Sequence, residues 1–276
     1  MVRQKLLLLV LLFPFSPDSL ENCLGVIVQK FSLHNLYNSL PVRSVVVSTF
    51  NASLISAVQE TPRIRSLTFA LDKLISFKPG QFVMLVHREQ GRVIKRAYSL
   101  CSPSSMPNRI SLALNEMMNG TLSPLIYHLK KGATVELEGP YGLFTLHDSP
   151  RKKVFLAGGT GISPILSMLY ELEQQKKMQD VLVIYSAKKE EDILFRKELA
   201  HFEHKGAHVV ITLTEEASSS WKGELRRIDQ AMLEQYVKKP AACDFYVCGS
   251  PQMVQSLLQT LAALKVPSEH IHHERW

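Results

Sequence analysis

Three short stretches of this chain hold residue types that could do chemistry. The first is Arg96-Ala97-Tyr98-Ser99, which sets a cation, a phenol ring and a hydroxyl within four positions. A guanidinium fork matches phosphate oxygens, and an aromatic ring packs against a flat partner. Read as a strand, Arg96 and Tyr98 share one face, and Ala97 and Ser99 the other. Alone, the stretch fits an ordinary strand with an exposed arginine and a half-buried tyrosine just as well.

The second stretch is LAGGTGISPILSML, Leu156 to Leu169. Gly158, Gly159 and Gly161 permit a tight turn and close backbone approach. Thr160 lies among them, Ser163 can cap the following helix, and Pro164 suits its first turn. The N–H groups and dipole at such a helix start favour a phosphate. The pattern is neither G-x-G-x-x-G nor a Walker loop, and a merely tight turn is the alternative. The third stretch, FYVCGSPQMV, Phe245 to Val254, repeats the device with Cys248, Gly249 and Met253. Its cysteine reads equally as a small buried apolar residue. The run His270 to His273 lacks carboxylate or cysteine partners at ligand spacing, so no metal is expected.

Two kinds of element must position these stretches. From about Asn51 to Leu146 the pattern alternates, as in Leu67, Phe69, Leu71 and in Ile110, Leu112, Leu114. Turn signals at Lys78 to Gln81, Ser102 to Asn108 and Gly139 to Gly142 punctuate it, which predicts an antiparallel β-barrel. One helix-like piece, TLSPLIYHLKKG, interrupts the strands, with Gly132 as its stop. Beyond residues 148–153 the pattern changes. Four apolar runs (VFLAG, VLVIYS, VVITL, FYVCG) alternate with helical patterns, one burying Ile165, Leu166, Met168, Leu169 and Leu172, another Met253, Val254, Leu257, Leu258 and Leu261. That is the pattern of an α/β doubly wound parallel sheet. The expected domains are residues 51–147 and 148–276, after an extension of unclear role at 1–50.

Composition narrows the class. At 46% apolar the 276 residues bury proper cores, and a net charge of +7 without basic–aromatic tracts gives no support for nucleic acid as a partner. Four cysteines without a C-x-x-C pair offer no disulfide framework and no iron–sulfur site, which suits a reducing, cytoplasmic setting. The start, MVRQKLLLLVLLFPF, has an apolar run too short to span a bilayer and no small-residue cleavage site close behind it. It reads as a targeting or anchoring segment, a wrongly assigned start, or a packed first element, so membrane association of this end stays open.

Taken in order, the motifs resemble those of the ferredoxin–NADP reductase superfamily, the two-domain flavin-dependent NAD(P)H oxidoreductases. The matching residues are Pro79-Gly80-Gln81-Phe82, Arg96 to Ser99, Gly120-Thr121-Leu122-Ser123, Gly139-Pro140-Tyr141-Gly142, Gly158 to Pro164, Cys248 to Met253, and Glu274-Arg275-Trp276. The match spans about residues 53–276. The resemblance implies a flavin-binding barrel, with FAD favoured over FMN, and NADH or NADPH as co-substrate. It implies that Arg96 pairs with a flavin phosphate, Tyr98 lies against the isoalloxazine ring, and Ser99 hydrogen-bonds near N5, with Ala97 between them. Gly120, Thr121, Leu122 and Ser123 would meet the flavin pyrophosphate. Gly158, Gly159, Thr160, Gly161, Ser163, Gly249 and Met253 would meet the nicotinamide dinucleotide. Cys248 would stand by the nicotinamide, and Glu274 and Trp276 would close the site.

Specificity for the adenosine 2′-phosphate falls on Lys188 and Lys189, followed at once by Glu190 and Glu191. Glu215 and Glu216 oppose a phosphate, Arg226 and Arg227 favour it, and the balance leans to NADH. No fused plant-type ferredoxin domain is expected, so electrons must leave to a separate acceptor protein such as a ferredoxin, a quinone or a free dye-like molecule. The alternative is a non-catalytic, redox-sensing flavin- or nucleotide-binding subunit of a partner enzyme.

Overall fold

The computed structural model describes residues 48–116, 122–215 and 217–275. The expectations for residues 1–47, Gly120, Thr121, Glu216 and Trp276 lie outside the described residues.

The first part is a six-stranded antiparallel sheet. Its strands are β1 (Thr49–Thr61), β2 (Ile64–Leu71), β3 (Phe82–Glu89), β4 (Arg92–Ser99), β5 (Arg109–Asn115) and β6 (Thr134–Tyr141). They lie in the order β4-β3-β6-β1-β2-β5, and a bridge between Leu100 and Leu112 ties the two edges together, so the sheet is barrel-like. The alternating residues Leu67, Phe69, Ile110, Leu112 and Leu114 are wholly buried inside it, as period-two patterning requires. Closure removes the unpaired edges that an open sheet would leave.

The helix between β5 and β6 is shorter than the sequence suggests. It covers Ser123–Tyr127 (α1), and Gly132, with φ +91, lies in the turn before β6 rather than at the helix end. Pro124 sits in its first turn, and Ile126 and Tyr127 are its buried residues. Five residues cannot sustain a helix without such packing.

The second part is a parallel sheet: β7 (Lys152–Gly158), β8 (Val181–Ala187), β9 (His208–Leu213), β10 (Cys243–Gly249) and β11 (Ile271–Arg275), in the order β11-β10-β7-β8-β9. Helices α2 (Ile162–Gln174), α3 (Arg196–His204), α4 (Gln230–Tyr236) and α5 (Pro251–Ala263) connect the strands. Both faces are covered. Phe155, Ala157, Tyr246 and Cys248 point to a core shared with α2 and α3, whereas Val154, Leu156, Phe245 and Val247 point to a core shared with α4 and α5. The predicted faces of α2 and α5 are the buried ones, with Met253 and Leu258 half-buried at the margin. The chain runs outward from β7 through β8 to β9, then returns to β10 on the other side of β7. The β7–β10 pair is therefore the topological switch point, where a doubly wound sheet opens a crevice at its carboxyl end.

Candidate functional site

Two turns meet at that switch point. β7 ends in a 3-10 turn, Gly159–Gly161, which runs directly into α2. Gly159 has φ +54, is exposed, and a Cβ built on it would meet nothing within 4 Å. Gly161 is different: its Cβ would lie 2.3 Å from the carbonyl oxygen of Cys248, so the turn is pressed onto the end of β10. Thr160 is half-buried between them.

Ser163 does not cap α2, contrary to its reading in the sequence. Gly161 is the N-cap, no side chain caps the helix, and Ser163 is already inside the first turn. Its hydroxyl oxygen is buried with no hydrogen-bond partner in the protein. A thirteen-residue helix with uncapped N–H groups, a bare glycine in front and an orphaned hydroxyl beside them is an arrangement that suits a phosphate. The residues therefore fit a dinucleotide pyrophosphate.

β10 ends in the second turn. Ser250 caps α5, its hydroxyl accepting from the Met253 N–H at 3.4 Å, and Pro251 starts the helix. Cys248 is fully buried and pairs laterally with Ala157 on one side and Glu274 on the other. In a parallel ladder, residues level with one another point to the same face. Ala157, Cys248 and Glu274 thus form one row under the turns. This brings together two of the predicted catalytic residues from segments 26 positions apart in sequence.

The barrel contributes the other wall. Arg96 and Tyr98 pair across β3 with Leu85 and Val83, whereas Ala97 and Ser99 pair with Met84 and Phe82, so the alternation read from sequence holds. Arg96 is exposed, and its guanidinium donates to the Lys95 carbonyl at 2.8 Å. Tyr98 packs against the barrel core, and its hydroxyl is in polar contact with the Ser123 side chain. Burial raises the Tyr98 pKa; the Ser123 contact and the Arg96 charge oppose the rise. Ser99 is buried at the end of β4, Leu122 is buried at the start of α1, and Ser123 is half-buried. An exposed guanidinium, a phenol and a helix start gathered in this way fit a flavin phosphate and ring.

Sequence reading missed a charged pair on the Ser99 face of β4. Lys95 donates to both carboxylate oxygens of Glu138 at 2.8 Å, and Glu138 is buried. The two residues are 43 positions apart. Only the β4-β3-β6 order, with Met84 opposite Glu138 and Val86 opposite Lys95, brings them together.

The two parts meet around the ends of these elements. Cys101, two residues past Ser99, and Phe144, just past the end of β6, belong to the same buried cluster as Ala157, Ile162, Met168 and Cys248. Gly139 to Gly142, read as a turn from the sequence, is instead the last part of β6 and the residue after it. Gly80 has φ +100, and a Cβ there would lie 2.1 Å from the Phe144 carbonyl oxygen and 2.4 Å from the Met168 methyl. Ser104 donates to Glu171 at 3.0 Å and Gln174 to Ser105 at 2.6 Å. The RAYS strand and the glycine turns are therefore held on one packed seam.

Beyond β8 and β9 several of the charges are paired. Lys188 forms an ion pair with Glu215 at 3.2 Å, and the Ser218 N–H donates to Glu190 at 2.7 Å. Arg226 is engaged by Glu224 at 3.1 Å and by Gln235 at 2.6 Å. Of the terminal histidines, His270 lies 3.0 Å from Asp244, and His272 stacks on His147 and Tyr246.

This is the architecture of a two-domain flavin- and nicotinamide-dependent oxidoreductase. Residues 51–146 match the family described as Oxidoreductase FAD-binding domain, and residues 155–259 match Oxidoreductase NAD-binding domain. The chain is 33% identical over 238 residues to ferredoxin–NADP reductase B of Sorangium cellulosum, covering 82% of this chain and 97% of that one. It is 29% identical to the glycine betaine monooxygenase reductase subunit of Chromohalobacter salexigens, covering 87% of this chain and 67% of the relative. A solved ferredoxin NADP+ reductase from Neisseria gonorrhoeae, 24% identical, superposes with a TM-score of 0.72 over 82% of this chain and 98% of its own. The chain belongs to the ferredoxin–NADP reductase superfamily. Its cofactor is FAD and its co-substrate NADH or NADPH.

Proposed function

We propose that this protein is the reductase component of an electron-transfer pair, taking hydride from NADH and delivering electrons to a separate iron–sulfur or oxygenase partner. The observation that carries the reading is the shared cluster in which Cys101 and Phe144 of the barrel pack with Ala157 and Cys248 of the parallel sheet. It sets the end of β4 beside the switch point, where two redox groups bound on either side would meet. The acceptor class is supported by two relatives, one named as a ferredoxin–NADP reductase and the other as a monooxygenase reductase subunit.

The roles divide by position. Arg96 supplies the charge for a flavin phosphate, Tyr98 a ring surface, and Ser99 a buried polar group at the reacting end. Gly120, Thr121, Leu122 and Ser123 are assigned to the flavin pyrophosphate. Gly159, Thr160, Gly161 and Ser163 are assigned to the nucleotide pyrophosphate, and Cys248, Glu274 and Trp276 to the nicotinamide. What FAD supplies when bound is acceptance of a hydride and its onward release as electrons. The chain's contribution is alignment and exclusion of water, which the buried Ala157 and Cys248, with the half-buried Glu274 beside them, provide.

The paired charges beyond β8 favour NADH. A 2′-phosphate there would meet Glu190 and Glu215 and would compete with Glu215 for Lys188. The domains run over residues 51–147 and 148–276. Cys101, Cys243 and Cys248 are buried as thiols, which supports a reducing cytoplasmic setting. Among the described residues no helix is long and apolar enough to cross a membrane.

An absorbance spectrum followed by anaerobic titration with NADH and with NADPH tests this reading. Bound flavin should bleach with NADH, with kcat/KM for NADH at least tenfold that for NADPH, about 1.4 kcal/mol. A folded, colourless protein that FAD cannot reconstitute would sink it. Tyr98→Ala or Arg96→Ala should release flavin while the melting profile of the parallel-sheet part persists.

A further inference from the structure

The glycines of the two turns are not equivalent, and one side chain explains the difference. A Cβ on Gly158 would lie 2.3 Å from the Met253 sulfur and 3.3 Å from its methyl, with nothing else within 4 Å. A Cβ on Gly249 would lie 3.0 Å from the same sulfur, and 3.4 Å from the Gly158 nitrogen. The ends of β7 and β10 therefore approach each other directly, with the Met253 thioether laid against both. Met253 is fixed at its base by the Ser250 cap and at its side by the core under α5. Gly159, the glycine with open space around it, is the one that remains for a ligand.

We infer that Met253 is a positioning residue, a spacer that sets the separation of the two nucleotide-binding turns, and that Gly158 and Gly249 are glycine to admit its sulfur rather than the cofactor. This rests on the assignment of these turns to the nicotinamide dinucleotide. A flexible thioether suits the task because it fills an irregular gap with no directional demand. The spacer acts through the backbone of Gly158 and Gly249. Loss of its volume should therefore misplace the N–H groups that follow each turn and weaken nucleotide binding more than turnover. Gly161 provides the internal contrast, because its close neighbour is the Cys248 backbone, which no side-chain truncation can move.

The test is a size-exchange cycle on the flavin-loaded full chain. Met253→Ala should raise KM for NADH roughly tenfold to a hundredfold, the scale of an ångström-sized misplacement, with kcat changed much less and flavin content retained. Met253→Leu should recover most of that loss. Gly158→Ala alone should weaken binding comparably, and the double variant Gly158→Ala, Met253→Ala should bind better than Gly158→Ala alone. Gly161→Ala should not be rescued by Met253→Ala. A double variant no better than Gly158→Ala, or an unchanged KM in Met253→Ala, overturns the spacer role. Wild-type protein whose flavin neither nucleotide reduces overturns the functional assignment instead. The packing claim is then still decided by thermal melts, in which Gly158→Ala should be destabilised and Met253→Ala should restore it.

Discussion

The two ends of β7, β10 and β11 have opposite characters. At the carboxyl end β7 and β10 finish in Gly158 and Gly249, backbone against backbone with one thioether laid against both. At the amino end the same strands carry a buried charge cluster. Lys153 and Asp244 are 4% and 2% exposed and lie 3.0 Å apart. Asp244 also takes Arg151 at 3.2 Å, His270 at 3.0 Å and the Ser149 hydroxyl. The remaining Lys153 contacts go to the Ser149 and Arg151 carbonyls, each at 3.0 Å, and to the Ser149 hydroxyl at 2.7 Å. Above them runs a stack of rings, His147 on His272 at 4.2 Å, His272 on Tyr246 at 4.8 Å and Tyr246 on Phe155 at 5.1 Å. One end leaves backbone donors available. The other satisfies every donor of a buried lysine and pins the segment that joins the barrel to the sheet. A ligand site and an anchor built on the same strands can thus be disturbed separately.

The separation predicts effects of distinct kind. The largest should come from Asp244→Asn, which leaves the buried Lys153 charge without its counter-ion. Denaturant unfolding should show a loss of about 3–5 kcal/mol, with KM for NADH in the surviving folded protein near that of wild type. A raised KM at unchanged stability would mean that the two ends are coupled. Next is Gly161→Ala at the carboxyl end. Overpacking against the Cys248 carbonyl should cost about 1–3 kcal/mol and, unlike Asp244→Asn, should also impair reduction of the flavin by NADH. Stability loss without a kinetic effect would remove the distinction.

The smallest effect is in pH dependence. Burial, helped by the neighbouring His147, pushes the His272 pKa down to about 4, so the folded chain holds this ring neutral. The unfolded chain takes up a proton near the ordinary histidine value of about 6.5. His272 therefore favours folding above that value, and its contribution falls away as pH drops from there toward 4. Asp244 adds a second loss at lower pH. Burial alone would raise its pKa, but hydrogen bonds from Ser149 and Lys153 and the Lys153 charge prevail and lower it. Its stabilisation is thus present above the ordinary aspartate range and lost as pH falls through the lowered value. In His272→Asn a melting-temperature profile should be flatter between pH 6.5 and 4 than in wild type. An unaltered profile would assign the acid sensitivity elsewhere.

Much of this was legible in the residues themselves. Period-two alternation marked the barrel strands, apolar runs marked the parallel ones, and the buried faces of α2 and α5 followed from helical spacing. Local chemistry also located the glycine turns and the stretch Arg96 to Ser99. Where sequence reading failed, the cause was a contact between distant segments. Ser163 resembled a cap because Ser-Pro so often starts a helix, yet the 3-10 turn in front moved the cap to Gly161. The long helix expected before Gly132 shrank to Ser123–Tyr127, a span set by which residues the barrel could bury. Nothing local announces that Lys95 meets Glu138, that Lys153 meets Asp244, or that Gly158 is kept bare by Met253. Sequence by itself determined the periodicities, the turns and the kinds of group available, because those depend on neighbours along the chain. Tertiary structure alone decided which groups meet, which glycine faces open space and which faces a side chain, because strand order and register bring together segments that sequence separation keeps apart.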